Sequence, residues 1–183
     1  LSDAFTESER INIENGIRLW EKSLEGRLTW RSYVVSQHQP VENVNRVVNG
    51  VRTLSVFYKR ALNSDKLVTE WDEEHKKSLL GMCIGDADDD TMLLWIVENR
   101  LSTASMETSV SAHEFGHAIG VEHVEDEKSI MSENYNSSVK CLTRADIDSF
   151  CDSRGCRAGR PAQSCIDKEV PVVAVVGLAT PQE

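Results

Sequence analysis

The sequence predicts an α+β domain, and three observations predict it. An apolar stripe at helical spacing opens the chain, alternating or β-branched runs fill its middle, and a second helical segment with paired histidines follows. Thr6 and Glu9 read as a capping box ahead of a helix whose face is Ile13, Ile17, Trp20 and Leu24, ending before Gly26. Leu28 to Val35 alternates enough for a strand. Residues 41–62 fit two templates. Val44, Val47, Val48, Val51 and Leu54 suit a helical face, yet Asn49-Gly50 between Val-rich runs is a hairpin signal, and the β-branched content favours strands. Residues 65–78 read as a polar loop or short helix anchored by Trp71. Leu79 to Ile84 and Thr91 to Glu98 read as strands joined by an acidic turn. A helix then starts near Ala104, capped by Thr103 or Ser105.

That last helix carries the chemistry. In His113-Glu114-Phe115-Gly116-His117-Ala118-Ile119-Gly120-Val121-Glu122-His123, the first two histidines stand four apart and so share one helical face. Two imidazoles at that spacing can hold one metal ion. Glu114 sits beside the first of them, placed to take a proton from a metal-activated water without becoming a ligand. Gly120 lets the backbone leave the helix through positive φ, and His123 can then return to the same ion. Three protein ligands with a fourth position open is the pattern of a catalytic zinc. Histidines that merely pack or face solvent are the alternative, and the fixed offsets of Gly120 and His123 argue against it.

With Met131 eight residues after His123, the pattern resembles the metzincin metalloproteases, which carry a methionine turn beneath the metal. Within that clan the chain is most similar to the matrixin branch. His113 to Gly120 looks like a matrixin active-site helix, the distance from His123 to Met131 fits, and Tyr135 lies four residues past the methionine. Leu142-Thr143-Arg144-Ala145-Asp146-Ile147-Asp148 looks like the start of the final matrixin helix. The resemblance covers about residues 105–150 and is only architectural before that.

The resemblance implies a metzincin-like catalytic domain. A backing helix and the active-site helix would flank a twisted mixed β-sheet, with a small subdomain after the third histidine. One domain over 1–183 is expected, about 1–120 forming the N-terminal subdomain. Residues 121–183 would form the C-terminal one with Met-turn, helix and Cys-rich tail. The resemblance further implies that Glu133, Asn134 and Tyr135 wall the pocket for the substrate side chain after the scissile bond. It also implies that one of the two strands at 79–98 is an antiparallel edge strand to which an extended peptide can add. Two positions depart from the pattern: Val124 stands where matrixins usually have Ser, and Glu133 where they usually have Pro. A second, structural zinc is not expected, since His38 and His75 are the only other histidines.

Composition narrows the partners. A net charge of −10 argues against nucleic acid and anionic membrane surfaces, and no run reaches the length of a bilayer span. The apolar tail 170–179 is interrupted by Pro171 and Gly177. Asp86, Asp88 and Asp90 alternate in the acidic turn and could offer oxygen ligands to calcium, as in many matrixins; a solvated turn is the other reading. Cys141, Cys151, Cys156 and Cys165 cluster in a loop-rich end, where disulfides are the natural staples, in any of three pairings. A cysteine zinc site is the rival reading. Cys83 reads as a buried hydrophobe. Disulfides point to an oxidising, secreted or extracytoplasmic setting. Asn136-Ser137-Ser138 matches the glycosylation triplet, and Asp3 could cap the metal in a latent form, though a polar residue flanking a helix is the simpler reading.

The functional expectation is a zinc-dependent endopeptidase acting on protein or peptide as a monomer, with Glu114 as general base and one catalytic zinc. The alternative is a zinc-bearing binding or adhesion module without proteolysis. A narrow processing enzyme is a third reading.

Overall fold

The computed structural model describes residues 1, 4–24, 28, 55–85, 91–97 and 99–154. The strand expected at 28–35 (Leu28 apart), the Asn49-Gly50 hairpin, and the turn with Asp86, Asp88 and Asp90 lie outside the described residues. So do Asp3, Cys156, Cys165 and the apolar tail.

Helix α1, Glu7–Ser23, starts at the expected capping box. Thr6 accepts from the Glu9 backbone N–H at 3.3 Å, and the Glu9 carboxylate accepts from the Thr6 N–H at 2.7 Å. Its apolar face is buried as the stripe requires: Ile17, Trp20 and Leu24 are fully out of solvent. At Gly16 a side chain would lie 2.7 Å from the Thr108 carbonyl, so α1 meets the active-site helix with backbones almost in contact.

Strand β1, Ser55–Ala61, pairs parallel with β3, Thr91–Val97, while β2, Gly81–Ile84, pairs antiparallel with the other side of β3. The order β1-β3-β2 leaves β2 at the edge among the described residues. The fold is thus mixed α+β, with three strands and four helices described. The ambiguous 41–62 region resolves to strand over 55–61, with Leu62 just past its end; 41–54 lie outside the described residues. Residues 65–78 contain helix α2, Lys66–His75, whose Val68 is buried with Ala61, Leu79 and Val97. Trp71 packs against this second cluster as its expected anchor. The main cluster joins α1 and α3 to the sheet through Tyr58, Met92 and Leu94.

β2 begins two residues later than the alternation suggests, and the reason is local. Both backbone groups of Leu79 are already taken. Its N–H donates to Asp72 Oδ1 at 2.8 Å, and its carbonyl accepts from Arg100 Nη1 at 2.9 Å. Arg100 also grips Asp72 through Nη2 at 2.6 Å and Nη1 at 3.0 Å. This clamp sets where the edge strand starts.

The guanidinium of Arg100 holds the Asp72 carboxyl below its usual value of 3.8. Because the folded pKa is the lower one, the stabilisation is complete above 3.8 and is lost as pH falls toward the folded value. Thermal unfolding followed from about pH 6 down to about pH 3 should therefore show a shallower decline for Asp72→Asn than for the native chain. Parallel declines would remove the clamp from the account.

Helix α3, Ala104–Ala118, is capped by Thr103, whose hydroxyl accepts from the Met106 N–H at 3.2 Å. Three buried bonds fix its middle just before the first histidine. Trp20 Nε1 donates to the Ala112 carbonyl at 2.8 Å, Tyr58 Oη to the Ser111 carbonyl at 3.0 Å, and Ser111 Oγ to the Ile13 carbonyl at 3.2 Å. Helix α4, Arg144–Arg154, packs Ile147, Phe150 and Cys151 into the core, as the final helix was expected to do.

Candidate active site

The last turns of α3 place His113 and His117 on one face. At Gly120 φ is +92°, so the chain leaves the helix where a side chain would be strained. Arg154 Nε secures this exit by donating to the Ile119 carbonyl at 2.8 Å. The turn brings His123 back, and the three Nε2 atoms stand 3.1, 3.2 and 3.3 Å apart.

Nδ1 of His113 donates to the Ile130 carbonyl and Nδ1 of His117 to the Val121 carbonyl, each at 2.8 Å. A carbonyl can only accept, so the proton on both rings sits on Nδ1, and Nε2 presents a lone pair. Burial also holds the ring pKa values down, to about 3 for His113, with His117 lowered for the same reason. Lone pairs crowded this closely repel unless a cation lies between them. Tetrahedral zinc with bonds of about 2.0–2.1 Å needs nitrogens roughly 3.3 Å apart. The cluster matches that requirement, and it is a group able to hold a metal ion.

Glu114 lines the same cleft as the three histidines and is buried, 5% exposed. Desolvation alone pushes its carboxyl up to about 8. It lies against Gly81 at the start of β2, where even a Cβ would come within 2.6 Å of Glu114 Oε1. Only glycine lets the edge strand pass this close, and nothing in the sequence signalled the contact.

Met131 is wholly buried beneath the histidine helix, its sulfur against Gly116, where a Cβ would also lie 2.8 Å from the Trp20 ring. Asp146 of α4 braces the turn above it. Its Oδ1 accepts from the Met131 N–H at 3.0 Å and from the Ser129 hydroxyl; its Oδ2 accepts from the Thr143 N–H at 2.6 Å and the Thr143 hydroxyl at 2.9 Å. Ile130, whose carbonyl orients His113, lies inside this braced turn. Asp146 was visible in the sequence only as part of the last-helix resemblance, and its role in the turn was not.

The histidines and Glu114 open into a cleft of about 550 Å³. Glu133, Asn134 and Tyr135 line it, as do Leu79 to Cys83. Cys83, the free cysteine among the described residues, has its thiol pushed up to about 12 by burial, consistent with a packing role rather than a nucleophile. Cys141 and Cys151 are disulfide-bonded. The three aspartates considered for calcium fall outside the described residues.

Three convergent imidazoles beside a buried carboxylate, with a methionine turn below, define a metzincin-type zinc centre on an α+β scaffold. The particular branch follows from comparison: the matrixin family model matches residues 63–151, a span that takes in the histidines, Glu114 and Met131. Over those residues the chain resembles the matrixins, a family of metallopeptidases. No curated protein matches it. No helix among the described residues is long and apolar enough to cross a membrane.

Proposed function

We propose that the chain is a zinc-dependent endopeptidase that cleaves within protein or peptide chains, with Glu114 as general base. The observation that carries the reading is the convergence of three Nε2 lone pairs beside a buried carboxylate in an open cleft. His113, His117 and His123 would hold the ion. When bound, zinc supplies a Lewis acid that polarises the scissile carbonyl and acidifies water.

The chain's own groups do the rest. Glu114, whose raised pKa suits it to exchange a proton near neutrality, takes one from the attacking water and returns it to the leaving nitrogen. The β2 edge binds an extended substrate backbone by strand addition, which requires no particular sequence. Met131 supports the ligands by packing, and Tyr135 shapes the pocket wall.

Calcium at Asp86, Asp88 and Asp90, a monomeric state, and the division into subdomains at about residue 120 belong to the same proposal. So does a secreted setting, which the disulfide-bonded Cys141 and Cys151 support. A binding module without proteolysis finds no specific support in the site, which retains ligands and base.

A zinc-loaded sample should digest a mixed peptide library at internal bonds. A chelator should abolish the cleavage and added zinc should restore it. Zinc binding without any cleavage would favour the binding module instead.

A further inference from the structure

One contact in the cleft is not needed for peptide hydrolysis. Lys77 Nζ, between α2 and the edge strand, meets Glu133 Oε1 at 2.7 Å, two residues past Met131. Both residues line the cleft, Lys77 from the segment leading into β2 and Glu133 from the segment after Met131. The ion pair therefore forms part of the wall that a substrate in the cleft would meet. It is also open to solvent, with 48% of the Lys77 side chain and 62% of the Glu133 side chain exposed. Exposed pairs of this kind are weak and readily exchanged.

We propose that Glu133 is a specificity-determining residue: it selects substrates with a lysine or arginine on one side of the scissile bond, the incoming cation replacing Lys77. The inference rests on the endopeptidase reading above. Lys77 is four residues from Gly81, which touches Glu114. An extended chain rises about 3.3 Å per residue, so the selected position falls within about four residues of the cleaved bond.

The sign follows from which partner can leave and from the charge around it. Lys77 is a flexible stem that can swing into water without loss of packing. Glu133 is a shorter side chain close to the braced methionine turn. The Glu133 carboxyl is held below its usual value by Lys77, so it is an anion whenever substrate arrives. The adjoining segment 121–128 carries four carboxylates against Lys128 alone, and the whole chain is −10. A substrate cation is attracted to Glu133 and to a chain of net negative charge, whereas a substrate carboxylate would have to displace Glu133 and meet that same charge.

The test is digestion of a peptide library balanced in acidic and basic residues, using the zinc-loaded chain, Glu133→Gln and Lys77→Met. The native chain should favour Lys or Arg over Asp or Glu at one fixed position, on the order of five-fold in kcat/KM, as a solvent-exposed pair allows. Glu133→Gln should erase this preference, chiefly through KM, and Lys77→Met should strengthen it. Salt near 1 M should flatten the native preference, because the Debye length then shrinks to about 3 Å. A native profile without basic enrichment, or one that survives Glu133→Gln, overturns the proposal while leaving the endopeptidase reading intact. If no protein cuts any peptide, that reading fails instead. Fluorescence polarisation with a Lys-containing peptide and its Glu-containing twin then decides the subsite, and equal affinities would overturn it.

Discussion

A Glu114→Gln protein is expected to retain zinc and its fold while losing peptide cleavage by about 10²–10⁴-fold, the span that a positioned general base supplies. The substitution keeps the side chain's shape, which matters because Glu114 fits against Gly81 with no spare space. The amide cannot accept the water proton. All three metal-binding nitrogens lie outside the substituted group, so the ion's ligand set is untouched. Since an uncharged amide removes a desolvated carboxyl, the thermal midpoint should hold or rise. Metal content by elemental analysis, thermal unfolding and peptide turnover on one preparation separate these effects. Full activity in the variant would remove Glu114 from the proposed mechanism.

The largest expected loss of stability is at Asp146. Its carboxylate is fully buried and accepts from two backbone N–H groups and two hydroxyls of three residues, Ser129, Met131 and Thr143. Asp146→Ala removes the acceptor and leaves those donors in the core. Each orphaned donor costs about 1–3 kcal/mol, and water entering the new space recovers part of it. A net loss of about 4 kcal/mol is expected, lowering Tm by roughly 8–16 °C for a domain of this size. Because the braced turn contains Ile130, whose carbonyl orients the His113 ring, zinc affinity should fall as well, by about 10–100-fold. Competition against a chromophoric chelator reads the affinity, and calorimetry of the apo and loaded forms reads the stability. A destabilised variant with unchanged zinc affinity would confine Asp146 to a structural role.

Much of the site was legible because its information is local. The spacing of His113 and His117 is a statement about helical pitch, and Gly120 is a statement about which residue tolerates positive φ. The capping box at Thr6 and the stripe through Trp20 are equally local, and the structure keeps both. The edge strand was legible as a strand, but its start was not. Alternation placed it at Leu79, whereas Asp72 and Arg100, seven and twenty-one residues away, hold the Leu79 backbone, so the ladder starts at the Leu80 carbonyl, which accepts from the Val97 N–H, and the strand at Gly81. Residues 65–78 were undecided between loop and helix because their buried contact is a single side chain, Val68, against a cluster built by the sheet.

The sequence by itself determined the fold class, and it proposed the histidine ligands, the neighbouring base and the methionine turn, since these depend on spacings of a few residues along helix and turn. Only the tertiary structure decided which groups support and restrict that centre. Gly81 makes room for Glu114, Asp146 braces the turn under His113, and Lys77 pairs with Glu133 in the cleft wall. Each of these pairs joins residues 15 to 56 positions apart. No periodicity relates such positions; the packing of helices against sheet brings them together.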